Sequence, residues 1–239
     1  MNNKLSRREF LQFAGAAAAA TTLAACGGAS LPAPTAPAAT PEPSSPTADQ
    51  ALALLRDGNA RYVAAKMVRP NQSTDRRASL SAGQKPFAII FSCVDSRVPP
   101  ELAFDRGLGD LFVIRTAGHA IDRAALGSIQ FGVEELHIPL IVVMGHEKCG
   151  AVSATLDAVE KNAHAAGDIE ALVQAIKPAI EKSKNQTGDK LDNAVKTNTV
   201  LTVEALKANA ILGEEVKKGK LMIVGTRYDL DTGMVEMLA

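Results

Sequence analysis

The sequence predicts an α/β protein, with a mostly parallel sheet of four strands, a short antiparallel edge strand and helices on both faces. Three observations carry that prediction. Four short runs, starting at Pro86, Asp110, Pro139 and Leu221, are too continuously apolar for half-exposed strands and read as strands buried on both sides. The segments between them carry apolar residues at helical spacing, and strand–helix alternation implies parallel pairing with crossover helices. Finally, two of the runs lead directly into residues that carry chemistry, Cys93-Val94-Asp95-Ser96-Arg97 and His146-Glu147-Lys148-Cys149-Gly150. In a parallel sheet both motifs emerge at the same edge, where ligands of such folds bind.

The chain before residue 48 does not belong to that sheet. Ser6-Arg7-Arg8-Glu9-Phe10-Leu11 pairs two arginines with an apolar pair near the N-terminus, the pattern of a twin-arginine export signal. The alanine-rich stretch 13–25 is too short and small-sided for a membrane span and reads as the apolar region of a signal peptide. Leu23-Ala24-Ala25-Cys26 resembles a bacterial lipobox, which makes Cys26 the expected lipidation site and residues 1–26 the leader. Cleavage near Ala24 by an ordinary signal peptidase is the alternative. Residues 27–47 are rich in Pro, Ala, Ser and Thr and form an extended linker. The domain is therefore 48–239, exported and held at a membrane only through a lipid.

Within the domain, Thr47-Ala48-Asp49-Gln50 fits a capping box opening a helix. Ala51, Leu54, Leu55 and Tyr62 form its apolar stripe, with an interruption expected at Asp57-Gly58-Asn59. Residues 69–85 are polar and turn-rich. The run 86–93 is the first strand, and Pro99-Pro100 opens a short helix. Residues 110–117 form the second strand, closed by Gly118, and 121–137 a helix with Ile121, Ala125, Ile129, Val133 and Leu136 on one face. Residues 139–145 are the third strand and 150–162 a helix. Helical spacing continues over 168–182, bent at Pro178, and over a long tract, 192–218. Residues 221–224 form the fourth strand, and 234–238 turn back as the edge strand.

Charge narrows the function. Lys+Arg and Asp+Glu both number 26 and there is no tryptophan, so the chain lacks both the basic footprint and the stacking surface of a nucleic-acid binder. Only three cysteines are present, one of them in the leader. A Cys93–Cys149 disulfide is the alternative for an exported domain, but the neighbours suit a metal better. Two thiolates and an imidazole from Cys93, His146 and Cys149 make the donor set zinc prefers, with a fourth position left for water. Asp95 could take that fourth position in a closed state, or turn away and accept a hydrogen bond from the water. Arg97 could hold its carboxylate in a bidentate fork. The rival for Asp95 and Arg97 is a surface ion pair.

Cys-x-Asp-Ser-Arg after one strand and His-x-x-Cys-Gly after another, with His146 placed 53 residues beyond Cys93, resemble the beta-class carbonic anhydrases. Leu55-Arg56-Asp57-Gly58-Asn59, Phe112 to Gly118, Gly225 and Tyr228-Asp229-Leu230 extend the resemblance over nearly all of 48–239. It implies reversible hydration of CO2 to bicarbonate and a proton, by attack of a zinc-bound hydroxide on CO2. Cys93, His146 and Cys149 match the zinc ligands and Asp95 with Arg97 the catalytic dyad. Gln84, Phe112, Ala117 and Phe131 match positions lining the substrate pocket, although the three apolar ones also read as ordinary core. A homodimer or higher homo-oligomer is implied too. His119 stands where asparagine is frequent, Phe131 where tyrosine is, and the lack of tryptophan leans toward an open, water-bearing zinc. The same scaffold hydrolysing CS2 or COS, and a catalytically silent zinc lipoprotein, stay open as alternatives.

Overall fold

The computed structural model describes residues 45–238; the expected leader 1–26, Cys26 within it, and most of the linker 27–47 lie outside the described residues. Helix α1 (Ala48–Val63) opens on the expected capping box, Thr47 Oγ1 accepting from the Gln50 amide while Gln50 Oε1 accepts from Thr47. It runs unbroken through Asp57-Gly58-Asn59, which corrects the expected interruption. Gly58 packs so closely that an added Cβ would lie 1.8 Å from the Phe104 carbonyl oxygen. The Asn59 amide donates to the carbonyls of Ala103 and Gly233, and its oxygen accepts from Val235. These small and polar residues are a packing face that fastens the first helix to the C-terminal strand.

After α2 (Thr74–Ser79) come β1 (Ala88–Cys93), α3 (Pro100–Ala103), β2 (Leu111–Thr116), a 3-10 turn (Ala117–His119) and α4 (Arg123–Glu134). Then follow β3 (Leu140–His146), α5 (Gly150–Glu160), α6 (Ile169–Ser183), α7 (Lys190–Ala208), α8 (Ala210–Lys217), β4 (Met222–Tyr228) and β5 (Val235–Met237). The sheet order is β2-β1-β3-β4-β5, the first four strands parallel and β5 antiparallel to β4. The predicted architecture holds.

Successive strand residues point to opposite faces, and the core divides accordingly. Ala88, Ile90, Leu140, Val142 and Met144 pack under α1 and α3 with Ala51, Leu55 and Phe104. Ile89, Phe91, Ile141, Val143 and Ile223 pack under α4, α7 and α8 with Ile129, Val203, Leu206 and Leu212. Both faces are covered, which is why the strands read as continuous apolar runs.

Several boundaries differ from expectation. The tract 192–218 is two helices, because Asn209 leaves helical geometry (ψ 135°) and its side chain caps the amides of Ile211 and Leu212. Helix α6, by contrast, spans Ile169–Ser183 with Pro178 inside it, close to the expected 168–182. Strand β4 runs four residues past Val224, its polar end sustained by an ion pair of 2.6 Å between Arg227 and Asp192. Leu54, Ile169 and Ile211 lie on exposed surface and not on the expected stripes.

Candidate metal centre

The register sets the site. Cys93 ends β1 opposite Thr116 of β2, and the β1–β3 pairing aligns Ser92 with Met144, so Cys93 and His146 finish adjacent strands at the same edge. Cys149 is the N-cap of α5, three residues beyond His146. Lys148 between them takes a left-handed backbone, φ 52°, a conformation that costs a non-glycine residue energy and marks a turn held by its surroundings. The sulfurs of Cys93 and Cys149 and a ring nitrogen of His146 lie within 4.8 Å of one another, all buried. Both cysteines are free thiols with sulfurs 3.9 Å apart, well beyond the ~2.05 Å of a disulfide bond.

His146 Nδ1 faces the Glu147 carbonyl at 2.9 Å. A carbonyl only accepts, so Nδ1 carries the proton and Nε2 presents its lone pair. That Nε2 is buried and has no hydrogen-bond partner. Asp95 stands beside it, Oδ2 at 3.8 Å from Nε2. Arg97 grips the same carboxylate three times, through its backbone amide (2.9 Å), Nε (2.9 Å) and terminal nitrogen (2.7 Å). Those bonds hold the Asp95 carboxyl down to about 2, so it is ionised at any working pH. The hydrogen bond between the thiols pulls Cys93 well below the ordinary thiol range against the cost of burial, helped by the Gly118 amide. The same contact, with burial, pushes Cys149 up. An ion placed there would need both sulfurs as thiolates and would release their protons.

A family model described as carbonic anhydrase matches residues 88–235, which contain every one of these groups. The chain belongs to the beta-class carbonic anhydrases. "Carbonic anhydrase 2" of Mycobacterium tuberculosis is 45% identical over 180 residues, covering 75% of this chain and 87% of that one. The carbonic anhydrase of Mycolicibacterium smegmatis is 44% identical over 184 residues, covering 77% and 89%. Among solved structures, a Coccomyxa beta-carbonic anhydrase in complex with acetazolamide superposes with TM-score 0.61 at 25% identity, covering 78% of this chain and 84% of that one. A second family model, the twin-arginine translocation signal sequence, matches residues 4–24. Among the described residues no helix is long and apolar enough to cross a membrane.

The donor set suits the metal expected of a beta-class carbonic anhydrase. Two thiolate bonds of ~2.3 Å at a tetrahedral centre separate their sulfurs by ~3.8 Å, and the observed separation is 3.9 Å. The orphaned Nε2 would supply a third donor, oriented by its carbonyl partner as ligating imidazoles usually are.

The pocket residues divide. Ala117 begins the 3-10 turn whose next residue, Gly118, donates its amide to Cys93 Sγ at 3.3 Å. Gln84 lies in the exposed loop before β1. Phe112 pairs with Ile89, four residues back from the Cys93–Thr116 end, and stacks on Phe131 with ring centroids 6.4 Å apart. At ~3.3 Å per residue that is ~13 Å along the strand, so this aromatic pair stands apart from the cluster of its own chain. Two further contributors were given no role from the sequence. Arg115 reaches from β2 to the carbonyls of Cys93 (2.8 Å) and Asp95 (2.6 Å) and clamps the turn that carries the dyad. Buried His119 sits behind Cys93, edge-on to Phe91. Their signal was their place inside Arg115-Thr116-Ala117-Gly118-His119, a strand end aligned with Cys93.

Proposed function

We propose that the chain hydrates CO2 reversibly to bicarbonate and a proton, with zinc held by Cys93, His146 and Cys149. The observation that carries the reading is the buried three-donor cluster with an ionised carboxylate against its open side. Zinc in such a site acts as a Lewis acid and brings a water's pKa to about 7, so that hydroxide is available at neutral pH. The protein's part is to hold and order. Both Asp95 oxygens are occupied by Arg97, leaving the carboxylate an acceptor only, aimed at the space in front of His146 Nε2. There it takes a hydrogen bond from the reacting water and fixes where its lone pair points. For Asp95 to close the site as a fourth ligand, it would have to give up the Arg97 fork. A silent structural site would have no use for this pair.

The apolar pocket is assigned to Ala117 with Gln84, and to Phe112 and Phe131 of a second copy in a homodimer or larger assembly. Supporting the last assignment, Phe131 is 42% exposed and the pair lies beside β2, the outer strand of the sheet. The signal match over residues 4–24 supports export across a membrane; to this we add, from the lipobox-like Leu23-Ala24-Ala25-Cys26, that Cys26 is the lipid anchor and that the chain is exported folded with its metal bound. Cys26→Ser should then move the protein from the membrane fraction to the soluble extracytoplasmic fraction.

Stopped-flow CO2 hydration on the purified protein, with zinc content measured on the same sample, tests the activity. Turnover should rise with zinc loading toward one ion per chain. Background rates at full loading and alkaline pH would remove the proposal.

A further inference from the structure

Helix α7 gives no donor to the cluster, yet one of its side chains reaches the turn behind it. Asn198 is buried, 6% exposed. Its Nδ2 donates to the Gly118 carbonyl at 2.9 Å and lies 3.0 Å from His119 Nε2. An amide nitrogen only donates, so His119 Nε2 accepts and its proton is on Nδ1. The turn needs such a hold, because Gly118 (φ 61°) and His119 (φ 44°) are both left-handed. Two such residues in succession, one of them not glycine, cost energy that the surroundings must offset. From the other side, Ile176 Cδ1 would lie 2.6 Å from any Cβ at Gly118. The turn is thus pressed between α6 and α7, and its forward face is the Gly118 N–H on Cys93 Sγ, 3.3 Å away.

We infer that Asn198 is a positioning residue for the metal centre: by holding the Gly118 carbonyl and the His119 ring, it keeps the Gly118 N–H donating to the Cys93 sulfur. That bond stabilises negative charge on the sulfur, favouring the thiolate that an ion requires, and fixes the direction of its lone pairs. Partners of this kind are worth 10–100-fold in metal affinity. The inference rests on the metal reading above. His119 stays uncharged in this role, since burial holds its imidazole down to about 4, and no extra cation is placed beside the ion.

The test replaces zinc, which is spectroscopically silent, with Co2+ and reads the thiolate-to-cobalt charge-transfer band. Asn198→Leu keeps the side-chain bulk and removes the donor; Asn198→Ala removes it while leaving room for the chain to relax. Val203→Ala, a cavity in the same helix away from the turn, controls for loss of stability. Both Asn198 variants should move the band to longer wavelength, because a sulfur without its N–H partner is easier to oxidise, and should weaken Co2+ binding 10–100-fold. Val203→Ala should leave the band in place. An unmoved band in whichever Asn198 variant binds Co2+, or an equal shift in Val203→Ala, overturns the inference. Wild-type protein that shows no thiolate band with Co2+ would instead overturn the metal reading itself.

Discussion

The two strand ends that build the centre are held in different ways. The β3 arm supplies two donors, His146 and Cys149, each 1% exposed. Its turn is pinned to β4, Glu147 donating its amide to the Tyr228 carbonyl and accepting from the Leu230 amide. The β1 arm supplies one buried donor, Cys93, and then comes to the surface, where Val94 and the Arg97 side chain are more than half exposed. Its order comes from hydrogen bonds, the Asp95–Arg97 fork in front and the Arg115 clamp behind. The contrast separates two tasks. In the function we propose, the buried arm would hold the ion and the exposed arm would handle a proton that must reach water.

That division can be broken experimentally. The largest effect belongs to the buried arm: His146→Ala removes a donor outright and should lower zinc affinity by more than the ~100-fold that loss of an outer partner costs. Competition with a chelator of known affinity measures it, and a smaller drop would mean that the ion is held elsewhere. On the exposed arm, Arg115→Met frees the Cys93 and Asp95 carbonyls while keeping the side chain's bulk. Turnover should fall about 10-fold or more with zinc retained, and equal loss of zinc and turnover would erase the distinction between the arms.

The smallest effect sharpens the account of what lies behind both arms. His119 is buried neutral, facing Cys93, His146 and Asn198, with its imidazole pushed by burial from 6.5 to about 4. The unfolded chain therefore binds a proton that the folded chain refuses, and stability falls as pH drops from about 6.5 to about 4. His119→Asn, a residue tolerant of the left-handed backbone there, should flatten that slope in urea melts of the metal-free protein. An unchanged slope would assign the acid lability to other groups.

The donors were legible because apolar runs fix where strands end, and the ends of β1 and β3 are where Cys93 and His146 stand. The parallel pairing of four strands and the antiparallel β5 followed from the same pattern; the order β2-β1-β3-β4-β5 did not. What was hidden depends on partners far away in sequence. Asn59 read as a break, yet its amide is satisfied by Gly233, 174 residues on. Asn198 drew no reading within the long helical tract, and its partner Gly118 lies 80 residues back. The expected fourth strand stopped at Val224 because Arg227 shows its worth only once Asp192 is beside it. Phe112 and Phe131 matched pocket positions, but the register places them along the strand from Cys93, a distance that composition does not reveal.

The central claim is that an ion sits on Cys93, His146 and Cys149 while Asp95 does separate work on the exposed arm. Zinc stoichiometry and stopped-flow CO2 hydration, measured together on wild type and Asp95→Asn, test it most directly. The account predicts one zinc per chain in both proteins and turnover lowered about 100-fold or more in the variant, the scale of a lost proton-handling group. Wild-type turnover in Asp95→Asn, or loss of zinc along with the activity, would contradict it.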